Sequence, residues 1–160
     1  MRKTHVWIML GCCLFALANL ASAQSRKPGL WAITTTMNYQ AQAATPGRPT
    51  TLGPYTTPAC LTQALIDKYG APLPQIAQCK ITSLNKQTNN VKAQLSCTGR
   101  MTGTATMEST WTATTATGSV HFVGTPPSGS SAKPVEWTST STSVFKSADC
   151  GSVKPFPMPN

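Results

Sequence analysis

At 160 residues the chain has room for a single core, and an apolar content of 40% is that of a globular protein rather than a disordered one. Only 11% of residues are charged, so solubility rests on neutral hydroxyl and amide groups. Thirteen basic residues outnumber four acids, yet they form no run and no patch interleaved with aromatics, which excludes a nucleic-acid interface. The mild positive field that remains suits an anionic envelope surface or a glycan as partner.

The chain opens with Arg2 and Lys3, an apolar run from Val6 to about Leu20, and Ala21-Ser22-Ala23. This is the order of an export leader, because signal peptidase accepts only small side chains at its two recognition positions. Residues 1–23 are expected to be removed, leaving residues 24–160 as one domain with a net charge of +7 after loss of Arg2 and Lys3. The apolar run is shorter than the ~20 residues of a membrane span, and no other segment approaches that length. Leu10-Gly11-Cys12 also resembles a lipoprotein signal, but cleavage there would leave Val6 to Leu10 as the whole hydrophobic region, short of the ~7–15 residues usual for it. Periplasm or external medium is the expected location.

Gly29 to Met37 alternates as a strand, with Trp31, Ile33 and Met37 on one face and Leu30, Ala32, Thr34 and Thr36 on the other. From Tyr39 to Pro58, rich in Ala, Pro, Gly and Thr, a loop is expected. Ala59 to Tyr69 predicts a short helix of about three turns, stopped by Gly70, Pro72 and Pro74. Cys79 to Leu84 and Val91 to Cys97 flank the polar turn Asn85 to Asn90 and form a hairpin. Strands are further expected over Met101 to Thr110, Thr112 to Val123 and Val135 to Phe145, the last two separated by the flexible connection Gly124 to Pro134. The sum is a mainly β fold: an antiparallel meander of about six strands with one short helix, its sheet curled or partly closed to protect the edges.

Four cysteines follow the leader, Cys60, Cys79, Cys97 and Cys150, and an even count in an oxidising compartment reads as two disulfides. Three pairings are open. If the hairpin pairs symmetrically about Thr88, Cys79 lies directly opposite Cys97, where Cβ atoms approach to ~4.5–5.5 Å. Cys60 is then joined to Cys150. A metal centre is disfavoured, since there is no C-x-x-C pair and His121 is the one histidine after the leader.

Taken in order, Lys27 to Trp31 (KPGLW), Cys60 to Thr62 (CLT), Cys79 to Thr82 (CKIT), Ser96-Cys97, Met101 to Thr104 (MTGT) and Asp149-Cys150 resemble a family of small exported bacterial proteins, the domain-of-unknown-function family 3617. The resemblance covers almost the whole chain after the leader. It implies secretion and a β fold, and it supplies no activity and no catalytic residue.

Candidates for chemistry are few. Asp67, Glu108, Glu136 and Asp149 are scattered without the spacing of an acid/base pair, and His121 has no nucleophile signature near it. No enzyme activity and no cofactor are expected. Met37, Met101 and Met107 could share a face and thioethers bind Cu(I), but core packing is the ordinary use of methionine. The Thr-x-Thr tracts, such as Thr138-Thr140-Thr142, have no fixed repeat and read as a solvated sheet face. Trp31, Met37 and Trp137 are the candidate ligand contacts, although a strand tryptophan is first a core residue. Gly29-Leu30-Trp31 resembles the G-x-W of lipocalin-type barrels, where about eight strands enclose a ligand, more than are expected here. The resulting expectation is an exported, monomeric, noncatalytic binding or envelope-associated module. Its alternative is a calycin-like carrier of a small apolar ligand.

Overall fold

The computed structural model of the chain describes residues 25–40, 50–72, 79–99, 101–126 and 133–158. The expected leader, its cleavage site after Ala23, and Cys12 and Cys13 lie outside these residues. Among the described residues seven antiparallel strands form one sheet: β1 (Gly29–Tyr39), β2 (Thr51–Leu61), β3 (Cys79–Lys86), β4 (Asn90–Cys97), β5 (Thr102–Trp111), β6 (Thr115–Thr125) and β7 (Val135–Ser147). One helix, α1 (Gln63–Tyr69), follows β2. The strand order is β2-β1-β7-β6-β5-β4-β3, so β2 and β3 are the edges and the sheet is not closed.

The inward face follows from alternation. Ala105, Met107, Ser109 and Trp111 of β5 are buried while Thr102, Thr104, Thr106, Glu108 and Thr110 between them are exposed. Val91, Ala93, Leu95 and Cys97 do the same on β4. Leu61 at the end of β2 and Leu95 of β4 belong to one core cluster. They stand five strands apart in the sheet, roughly 24 Å if it were flat at the usual interstrand spacing. The sheet therefore curls, and α1 fills the gap between its edges with Leu65, Ile66 and Tyr69 buried. Lys86 of β3 donates from Nζ to the carbonyls of Ile66, at 3.0 Å, and Asp67. That contact binds a cation to the carbonyl end of the helix, where the backbone dipole favours positive charge.

Two expectations are corrected. The sequence predicts a loop from Tyr39 to Pro58; residues 41–49 lie outside the described residues, and from Thr51 onward the segment is strand β2, which raises the count from about six strands to seven. Its apolar alternation is missing because the strand lies at an edge and is mostly exposed up to Pro58. An edge strand also tolerates Pro54 and Pro58, whose missing N–H groups would interrupt an inner ladder. Gly53 turns this strand at φ 101°, and a Cβ there would lie 2.6 Å from the carbonyl oxygen of Thr35, so glycine is required. The second correction shortens the helix: Ala59 to Leu61 belong to β2, and α1 has seven residues rather than about three turns.

The N-terminus of α1 is capped by Thr62, whose side chain accepts from the Leu65 N–H at 3.2 Å. Thr62→Ala is expected to lower the unfolding free energy by about 1 kcal/mol, measured by urea denaturation, because that partly buried N–H loses its acceptor. At the other end, Gly70 adopts φ 74° against the Trp111 ring and ends the helix in the left-handed conformation.

Both disulfides pair as the hairpin register requires. Cys79 stands opposite Cys97 and Ile81 opposite Leu95, after which a bulge shifts the register so that Ser83 faces Gln94. Cys79 is bonded to Cys97, and Cys60 to Cys150 across a separation of 90 residues. The second bond holds the C-terminal tail beside β2, where Cys60 bridges to Pro155 and its carbonyl accepts from Phe156 at 2.8 Å.

Candidate functional site

The inward face of the sheet is not uniformly apolar. Trp31, Phe145, Trp111 and the helix residues pack one end of it. Phe122 and Trp137 stack at the other, with ring centroids 5.4 Å apart. Between the two aromatic groups the inward residues are small. Along β7 they are Ser139, Ser141 and Ser143, paired in register with Val120, Gly118 and Ala116 of β6 on one side and with Met37, Thr35 and Ile33 of β1 on the other. Short side chains in a row leave space, and here they leave a half-open cleft of about 270 Å³. Ile33, Met107, Val120 and Phe156 supply its apolar surface, Thr35, Thr57 and the three serines its hydroxyls. Its volume lies just below the ~300–1,000 Å³ usual for small-molecule sites.

Arg26 joins this wall just before β1. Its side chain is buried, with 1% of the residue exposed. The guanidinium lies 4.1 Å from the centre of the Trp31 ring, a cation–π contact. Among the described residues its Nε and Nη2 have no hydrogen-bond partner, and both atoms are closed to water. Burial draws the pKa down to about 10, so the group remains charged at neutral pH. Because the folded-state pKa is lowered, the charge opposes folding at every pH below about 10, and that penalty is relieved only above it.

No acidic side chain neutralises Arg26. Glu108 binds Lys92 at 2.7 Å, Glu136 binds His121 at 2.9 Å, Asp67 accepts from Gln63 at 2.7 Å, and Asp149 accepts from the Gly151 N–H at 2.9 Å. These are all four of the chain's acids. Glu108 contributes to the cleft wall next to Met107 and Ser109, but its carboxylate stands in an exposed ion pair. A shallower hollow of about 380 Å³ is lined by Glu108, Thr110, Thr117, Ser119, Thr140 and Thr142 together with Ser109, Gly118 and Ser141.

The residues singled out from the sequence sit around the cleft rather than in its wall. Trp31 is fully buried, its Nε1 donates to the Lys27 carbonyl at 2.9 Å, and its ring meets Phe145 edge-on at 5.7 Å. It is the platform on which Arg26 lies. Met37 is half-buried on β1 opposite Ser139, and Trp137 is stacked on Phe122. Arg26, Gly118 and the serine row were missed. The signal for the serines was present in Trp137-Thr138-Ser139-Thr140-Ser141-Thr142-Ser143-Val144-Phe145, where each inward position between the two aromatics is serine. Among the described residues no group of three or more His, Cys, Asp or Glu side chains could hold a metal ion.

An open, curled antiparallel sheet, stapled by two disulfides and hollowed at the middle of its inward face, defines a small β protein of the cleft-bearing kind. The chain belongs to the family described as Protein of unknown function (DUF3617), whose model matches residues 26–150. The match begins at Arg26 and ends at Cys150, and so takes in the whole sheet. No curated protein and no solved structure matches the chain. Two disulfides place it in an oxidising, non-cytoplasmic setting. No helix among the described residues is long and apolar enough to cross a membrane.

Proposed function

We propose that the protein is an exported, noncatalytic binding module of the periplasm or external medium that takes a small amphiphilic molecule into the cleft on its inward face. The observation that carries this reading is the serine row of β7, which hollows the centre of an otherwise packed core and leaves a space walled by Ile33, Met107, Val120 and Phe156. Ligand sites are commonly concave, mostly apolar and marked by a few polar groups, and this cleft has that composition. The separation of the four acids, each with a partner elsewhere, supports a noncatalytic role. The calycin-like carrier shares the ligand class but encloses it in a closed barrel, whereas this sheet is open and admits a molecule longer than the cleft.

The test is occlusion of the cleft. A Cβ built on Gly118, in the cleft wall, would lie 3.1 Å from Ser141 Oγ, 3.4 Å from the Glu108 carbonyl oxygen and 3.6 Å from Ser109 Oγ, so the Ser141 hydroxyl must move aside by a few tenths of an ångström. Gly118→Val adds a strand-favouring side chain at that wall, and thermal melting by circular dichroism checks that the variant folds before binding is compared. Calorimetric titration with octan-1-ol should show binding to the wild type and at least tenfold weaker binding to the variant. Equal binding to both proteins would overturn the reading.

A further inference from the structure

We propose that Arg26 makes the cleft selective for a carboxylate: the ligand is an amphiphile with an anionic head held by the Arg26 guanidinium and a short apolar stem lying against Ile33, Val120 and Phe156. This rests on the cleft being a binding site. Three observations carry it. Arg26 belongs to the wall of the cleft, and its side chain is almost wholly sequestered from water. Every Asp and Glu of the chain is engaged elsewhere, so the countercharge is not one of the protein's own acidic side chains. The two nitrogens without partners, Nε and Nη2, are the two that form one edge of the planar guanidinium. Their N–H groups point the same way and match the two oxygens of a carboxylate, the bidentate arrangement for which arginine is suited and lysine is not.

Trp31 completes the arrangement. With one face of the guanidinium against the ring at 4.1 Å, the plane of the group is fixed. The hydroxyls of the serine row lie further along the same cleft and can receive or donate to a head group without adding charge. The volume limits the stem: about 270 Å³ lies just below the ~300–1,000 Å³ usual for small-molecule sites, which suits a short fatty acid better than a long one.

The experiment is calorimetric titration of the disulfide-intact protein with octanoate, octan-1-ol and acetate at neutral pH, repeated on Arg26→Met. Octanoate is expected to bind the wild type about tenfold or more tightly than octan-1-ol, the range of a charge-assisted hydrogen bond, and acetate far more weakly than octanoate. Arg26→Met keeps an apolar stem on Trp31 and removes an unpaired buried charge, so it should fold and bind octanoate no more tightly than octan-1-ol. A preference that survives in Arg26→Met, or equal binding of octanoate and octan-1-ol to the wild type, overturns the role of Arg26 and leaves the cleft reading intact. Acetate binding as tightly as octanoate overturns the amphiphile and leaves a small-anion site. Binding of neither eight-carbon ligand to the wild type overturns the cleft reading itself. Should Arg26→Met fail to fold, the wild-type protein decides alone: octanoate must raise its melting temperature more than the same concentration of octan-1-ol, and equal shifts overturn the proposal.

Discussion

Trp31→Ala is expected to lower the unfolding free energy by about 3–5 kcal/mol, the range for removing a fully buried large aromatic side chain from a core. The residue has no exposed surface. Its truncation removes the edge contact with Phe145 and the hydrogen bond to the Lys27 carbonyl. It also takes away the ring under Arg26, so a buried cation loses the face that partly offsets its desolvation. Since small domains are stable by only about 5–15 kcal/mol, most of the margin disappears. Thermal melting by circular dichroism measures the effect, with Trp137→Ala as the comparison. Trp137 is half-buried and stacked on one neighbour, and its loss should shift the melting temperature much less. An unchanged melting temperature in Trp31→Ala, together with loss of ligand binding, would make the ring a ligand contact instead of a structural platform.

The second large effect is expected from the disulfide between Cys60 and Cys150. Its 90-residue separation gives about 4.5 kcal/mol in the chain-entropy description, against about 3 kcal/mol for the 18-residue separation of Cys79 and Cys97. The double variant Cys60→Ala/Cys150→Ala should therefore be less stable in urea than Cys79→Ala/Cys97→Ala. The two should also differ in the cleft. The long-range bond positions the tail that carries Phe156 into the cleft wall, whereas the hairpin bond lies at the far edge of the sheet. Octan-1-ol affinity should fall in the first variant and persist in the second. Equal stability losses, or equal losses of binding, would contradict this.

The elements legible in the sequence were those that bury one face. β4 and β5 alternate strictly, and the hairpin symmetry placed Cys79 opposite Cys97 because a two-residue period leaves little freedom in register. β2 was not legible. Exposed along most of its length, it has no pattern to read, and its Gly53, Pro54 and Pro58 are ordinary signs of a loop. Helix α1 was found but drawn too long, because Ala59 to Leu61 are as apolar as a helix face and are buried as the end of a strand. The cleft escaped for a different reason. Alternating Thr and Ser along β7 read as one solvated face, although the serines point inward and the threonines outward. Arg26 could be suspected only by counting, since the eleven basic residues from Arg26 onward share four acids and most must lack a carboxylate partner. Which of them is buried depends on where the chain enters the sheet, and that is a property of the fold.

The prolines of β2 bear on how copies of this protein meet one another. An open sheet ends in strands whose outer donors and acceptors can template the next strand, and that is how many β proteins grow into fibres. On β2 the outer row is interrupted at Pro54 and Pro58, and between them stands Tyr55, 61% exposed. On β3 the row is broken by the bulge after Ile81 and flanked by Lys80 and Lys86. An incoming strand would find missing donors at one side and a kink with like charges at the other. Concentrated in a crowded compartment outside the cytoplasm, such molecules can collide edge to edge without zipping together.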